Sequence, residues 1–101
     1  MAVLAIFTGK GITREMYEAL RKEVKWESHH AAGGVMHACG FDAAGDLHVA
    51  DVWESEEAMG AFVSTRLLPA MKKLGVPPPE VTTFPAHNVN IYPNTRKYLL
   101  A

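Results

Sequence analysis

The chain is short of the features that most often announce a function. It carries one cysteine, Cys39, so no intramolecular disulfide can form, and nothing points to an extracellular, disulfide-stapled scaffold. Its 10 Lys and Arg nearly balance its 11 Asp and Glu, with no block of either sign. Nucleic acid and anionic membrane surfaces are therefore poor partners on charge grounds. No apolar run approaches the ~20 residues of a membrane-spanning helix. The opening MAVLAIFTGKG lacks the positive stretch and cleavage pattern of a signal peptide, so a cytoplasmic location is the expectation. Gly9-Lys10-Gly11 has neither the spacing nor the Lys-Ser/Thr ending of a phosphate loop. There is no G-x-S-x-G elbow, and no catalytic signature surrounds Cys39.

What is present reads as one domain of ordinary globular composition, 49% hydrophobic and 21% charged. Residues 1–93 are expected to form it, with 94–101 as a tail. Val3 to Thr8 is nearly all apolar and predicts a strand covered on both faces. Thr13 then caps a helix through TREMYEALRKEVKW, with Ile12 and Tyr17 as a hydrophobic staple and Met16, Tyr17, Leu20 and Val24 as its apolar stripe. GVMHACGF and DLHVADVW predict two strands joined tightly through Asp42-Ala43-Ala44-Gly45.

Ser55 caps a second helix, whose positive first turn holds Glu56 and Glu57. Pro69 predicts a break, with one helix ending near Arg66 and a short one opening at Pro69. Pro77-Pro78-Pro79 is a firm stop. EVTTF and HNVNIY then predict a last strand kinked at Pro85.

This β-α-β-β-α-β order implies an α+β fold of the ferredoxin-like kind, with right-handed crossovers giving an antiparallel sheet of order β4-β1-β3-β2. Two helices cover only one face of four strands. Yet β1 is apolar on both faces, and Val35, Ala38, Val49, Ala50, Val52, Val89 and Ile91 also serve both faces, so the uncovered face is apolar and predicts a homodimer packed through its sheet faces.

The stretch 52-VWESEEAMGAF-62, with this size and topology, resembles the dimeric α/β-barrel superfamily, especially its antibiotic-biosynthesis-monooxygenase-like members. The resemblance covers nearly the whole chain as topology and residues 47–74 as sequence. It implies a small homodimer with a sheet–helix pocket and, among the activities this scaffold hosts, cofactor-independent oxygenation, isomerisation or haem chemistry. The haem-degrading branch carries a helical Trp and an iron-ligating His; the matching positions here are Phe62 and Lys72, which counts against that branch. No Cys-x-x-Cys-His attachment site occurs either.

Several residues are candidates for chemistry. With a four-residue connection, Cys39 pairs with His48 and His37 with Ala50, so that His37, Cys39 and His48 share a face that could hold a metal. Hydrogen-bonded core is the simpler role, and no metal is assigned. A connection one residue longer or shorter would instead pair His37 with Asp51, which is an acid/base orientation pair. His87, expected on β4, lies three strand spacings from β2, roughly 14 Å at ~4.8 Å each. It cannot share one metal with His37 inside one subunit, though the two could serve separate sites or meet across a dimer.

Arg66 falls in the stripe Met59, Phe62, Val63, Leu67, Ala70, where a charge needs a partner. Asp51 or an acidic ligand would serve, and snorkelling at the stripe's edge is the plainer alternative. Trp53, Phe62, Met59, Tyr17 and Met16 could line a pocket for an aromatic ligand, or simply be core.

Three functional classes follow. One is an enzyme, a cofactor-independent monooxygenase or isomerase of a small aromatic or enolisable compound. Its base would be His37 or His87, and Arg66 would hold a developing oxyanion. The second is a non-catalytic dimer that binds a small hydrophobic ligand, or haem through a His. The third is an assembly or structural role with no ligand.

Overall fold

The structure is a computed structural model that describes all of residues 1–101. Its elements run β1 (Val3–Gly9), α1 (Arg14–Val24), β2 (Gly34–Phe41), β3 (Leu47–Trp53), α2 (Glu56–Phe62), a π-helical turn (Val63–Leu67), α3 (Leu68–Leu74) and β4 (Glu80–Pro85). A 3₁₀ turn, Pro93–Tyr98, lies in the C-terminal segment. The strands form one antiparallel sheet of order β2-β3-β1-β4. This is the predicted order read from the other edge, and the fold is the expected ferredoxin-like α+β.

The helix starts form as their sequences dictate. The Thr13 hydroxyl accepts from the Met16 amide at 3.2 Å, and the Ser55 hydroxyl accepts from the Ala58 amide at 3.0 Å. Each satisfies one orphan donor of its first turn.

Alternation along the strands sorts the sheet into two faces. Val3, Ala5 and Phe7 of β1 align with Trp53, Asp51 and Val49 of β3, and all six are buried beneath the helices. They form the core with Ile12, Leu20, Val24, Met59, Ala70 and Met71. Leu4 and Ile6 point the other way and are only half-buried, so β1 is fully covered on one face rather than two.

The hairpin differs from the four-residue reading in a way that decides the site. His37 aligns with Asp51, Cys39 with Val49 and Gly40 with His48. The Asp42 carboxylate accepts from the Ala44 and Asp46 amides, both at 3.0 Å, and Gly45 takes φ +86. A turn closed by an Asx side chain and a left-handed glycine consumes one further residue, Asp46. The longer connection shifts the register by one and reverses which face His48 occupies relative to His37. His48 instead pairs with Asp42 at 2.8 Å, so the grouping of His37, Cys39 and His48 on one face does not occur.

Two further expectations are corrected. Pro69 does not break the second helix. The Leu68 amide reaches back five residues to the Val63 carbonyl, and this widened turn accommodates the missing proline donor and its bulky ring while the helical path continues. β4 ends at Pro85, and residues 86–92 form no strand. Pro85 lacks an amide and lies opposite Val3, the first residue of β1. After the Ala86 amide bonds the Ala2 carbonyl at 2.8 Å, the ladder has no partner left. His87 consequently sits on no strand.

Gly33 is the tightest backbone position. It adopts φ +83, and a Cβ there would meet the Ala58 Cβ at 2.6 Å. Gly45, at φ +86, has open space. Gly45→Ala should cost about 1 kcal/mol and Gly33→Ala at least twice as much, roughly 2 kcal/mol or more. Urea unfolding checks the ranking, and Ala58→Gly should recover part of the Gly33→Ala loss but none of the Gly45→Ala loss.

Candidate functional site

The five-residue hairpin connection places His37 directly across from Asp51 on the helix-covered face. Asp51 is 6% exposed and is the only charged residue in the core, so it must be satisfied locally. Its Oδ1 lies 2.7 Å from His37 Nδ1, and its Oδ2 accepts from Trp53 Nε1–H at 3.1 Å. A carboxylate only accepts, so Nδ1 carries the ring proton and Nε2 presents a lone pair. The Tyr17 hydroxyl fills that position at 2.8 Å and donates to it. The result is an unbroken hydrogen-bonded line, Tyr17 to His37 to Asp51 with Trp53 behind, drawn from α1, β2 and β3.

Aromatic rings wall this line. Tyr17 and His37 stack nearly parallel, 7° apart, and Trp26 presents a tilted ring 5.7 Å from the imidazole. Phe41 meets Tyr17 edge-on at 6.1 Å. Burial pushes the Tyr17 phenol above its ordinary value of 10.0, and neighbouring Cys39 adds to the effect. Burial also raises the Cys39 thiol, which keeps it protonated rather than nucleophilic.

The line opens into a cleft of about 670 Å³ between α1 and β2, floored by His37, Cys39 and Phe41. Its rim is charged. Arg21 bridges Glu27 at 2.7 Å and Glu18 at 3.3 Å, and the bonds from Arg21 hold the Glu27 carboxyl below its ordinary range. Arg14 lies 4.9 Å over the Phe41 ring.

The sequence-derived candidates divide. Tyr17, His37 and Asp51 come together with Trp53. Met16, Met59 and Phe62 belong to the core or pack against it rather than line the cleft. His87 is exposed beyond the end of β4, on the opposite edge of the sheet from β2. Arg66 does not meet Asp51. Its Nη2 donates to the Val24 and His29 carbonyls at 2.9 and 2.7 Å, and its guanidinium lies over Phe62 at 5.1 Å. Backbone carbonyls, invisible in a sequence, are its partners.

Arg14, Glu18, Arg21, Trp26 and Glu27 were not singled out by the sequence reading. A signal existed in part, because Arg14, Tyr17, Glu18 and Arg21 recur at helical i, i+3, i+4, i+7 spacing and so share one face of α1. Haem suits this cleft poorly. His37 is the one histidine lining it, and both its ring nitrogens are engaged, so iron would have to displace Tyr17.

No family model and no curated protein sequence matches this chain. Solved structures do. SnoaB, a cofactor-independent oxygenase from Streptomyces nogalater, superimposes with a TM-score of 0.59 at 17% identity, covering 87% of this chain and 93% of its own. The chain shares the fold of the antibiotic-biosynthesis-monooxygenase-like proteins. Rv0793 from Mycobacterium tuberculosis matches with a TM-score of 0.58 at 20% identity, over 87% of this chain and 95% of that one. A conserved protein from Methanosarcina mazei Go1 reaches 0.63 at 12% identity, over 83% and 91%. These identities carry the fold and leave the reaction to be argued from the site.

Because the folded Tyr17 phenol ionises at higher pH than the unfolded one, its contribution to stability is complete below about 10 and is lost as pH rises beyond that. The midpoint of urea unfolding should therefore fall above pH 10, and Tyr17→Phe should flatten that fall while leaving the neutral-pH trend unchanged.

Proposed function

We propose that this protein is a homodimeric, cofactor-independent oxygenase of a small aromatic or enolisable compound, acting in the cleft between α1 and β2. The observation that carries this reading is the hydrogen-bonded line from Tyr17 through His37 to Asp51, open to the cleft at its tyrosine end. A phenolic or enolic ligand O–H donates to the Tyr17 oxygen while Tyr17 passes its own proton to His37 Nε2. The net result is a ligand anion and an imidazolium. Asp51 stabilises the imidazolium through Nδ1–H and fixes the tautomer beforehand, as an orienting acid does for a general base.

The carbanion form of the ligand anion then gives an electron to dioxygen, and the two radicals combine into a peroxide. Loss of water leaves a carbonyl, so that a CH₂ and O₂ become C=O and H₂O. Phe41 and Tyr17 offer flat apolar walls that suit a ring, with Trp26 packed behind Tyr17 and His37. The likeness in fold to SnoaB supports this class of reaction. In this reading Arg66 and His87, which do not line the cleft, take no part in the proton transfer.

The dimer reading rests on the uncovered sheet face. By register this face presents Leu4, Ile6, Met36, Ala38, Ala50, Val52 and Phe84, with Met36 and Phe84 at 40% and 50% exposure. A contiguous apolar surface of this kind on a small chain favours burial against a second copy.

Two measurements test the reading. Oxygen uptake with a panel of quinols and anthrone-like compounds should fall roughly 100-fold or more in His37→Ala, with Tyr17→Phe also impaired. Turnover unchanged in both variants, or tight ligand binding with no uptake at all, refutes the oxygenase. Light scattering should give twice the 11.1 kDa chain mass, and Ile6→Glu on the open face should give the monomer. A monomeric wild type refutes the dimer.

A further inference from the structure

Arg66 has no acidic partner, yet it is partly buried and tightly bound. It projects from the π-helical turn after α2 and reaches the carbonyls of Val24 and His29, 42 and 37 residues away in the chain. Those two carbonyls bracket a turn that is costly to make. Lys25 takes φ 58, the one non-glycine residue in the left-handed region, a conformation that L side chains disfavour. The turn brings Trp26 against two residues that line the cleft, 5.7 Å from His37 and 5.6 Å from Tyr17 between ring centroids.

On its other side the Arg66 guanidinium covers Phe62. Phe62 packs on Trp53 at 5.5 Å, and Trp53 holds the second oxygen of Asp51. Arg66 thus touches two sets of contacts that both reach His37, one through Trp26 and one through Phe62, Trp53 and Asp51. π-helical turns are frequent at functional sites, and this one carries Arg66.

We propose that Arg66 is a positioning residue for His37. It latches the Val24–His29 turn so that Trp26 stands against the imidazole, and through Phe62 and Trp53 it braces the Asp51 side. The inference rests on the reading of His37 as the working base, but its test needs no turnover, so the two can fail separately.

The test follows the His37 Nδ1–H proton by ¹H–¹⁵N NMR of the intact protein. In wild type the 2.7 Å bond from Nδ1–H to Asp51 should slow this proton's exchange with water. In Arg66→Gln it should exchange at least ~10-fold faster, and the Trp26 indole signal should shift. Trp26→Ala should reproduce most of the acceleration, and the double variant should add little to the larger single effect.

Lys73→Gln is the control. It removes the 3.1 Å bridge from Lys73 to Glu23, which also ties α1 to α3 but does not touch the turn, and it should leave the ring proton unchanged. If Arg66→Gln does not fold, Arg66→Lys carries the test, because a single ammonium still reaches a carbonyl and should give an intermediate rate. A folded Arg66 variant with wild-type exchange overturns the proposal. So does an acceleration in Lys73→Gln as large as that in the Arg66 variant, since the effect would then belong to helix docking in general.

Discussion

Everything near the cleft is arranged around one buried carboxylate. Asp51 sits in the middle of the sheet with 6% of its surface exposed, where an unpartnered carboxylate would cost several kcal/mol. The fold meets that cost with two donors, one from the next residue on the same face of β3 and one from the neighbouring strand. Once Asp51 holds Nδ1–H, the free lone pair of His37 is fixed at Nε2, and it points to where α1 delivers Tyr17. A structural need in the core therefore sets the tautomer of the residue best placed for proton transfer.

The helices serve the same arrangement. α1 crosses the sheet so that its Arg14–Arg21 face overhangs β2 and forms one wall of the cleft. Its C-terminal turn is held by Arg66 from the π-helical turn packed beside it in the same helical layer. The π-helical turn, which allows Pro69 to remain inside a continuous helix, is also what carries Arg66. On the far face of the sheet the apolar residues have no helix to cover them, which leaves the cleft and the open face on opposite sides of one sheet.

Much of the fold was legible in the sequence. The caps at Thr13 and Ser55, the strand patterns and the β-α-β-β-α-β order depend on local chemistry, and local chemistry is what a sequence displays. The register of β2 against β3 was less so, because one residue of turn length reverses every pairing. The pattern Asp42-Ala-Ala-Gly45 contained the clue, since an Asx-closed turn ending in a left-handed glycine takes in Asp46. The partner of Arg66 was illegible for a different reason. It bonds backbone carbonyls whose position depends on the tertiary path of α1, and no spacing rule reveals them. His87 was misplaced because strand length was judged from β4 alone, whereas a strand lasts only as long as its neighbour.

The central claim is that Asp51 fixes His37 as the Nδ1–H tautomer with Nε2 accepting from Tyr17. Long-range ¹H–¹⁵N NMR of the histidine rings near neutral pH measures this directly, because protonated and lone-pair nitrogens of a neutral imidazole resonate far apart. The account predicts a protonated Nδ1 and a lone pair on Nε2 for His37 in wild type, with that preference lost in Asp51→Ala. A His37 ring protonated at Nε2 in the wild-type protein, or one averaging freely between the two tautomers, would contradict it.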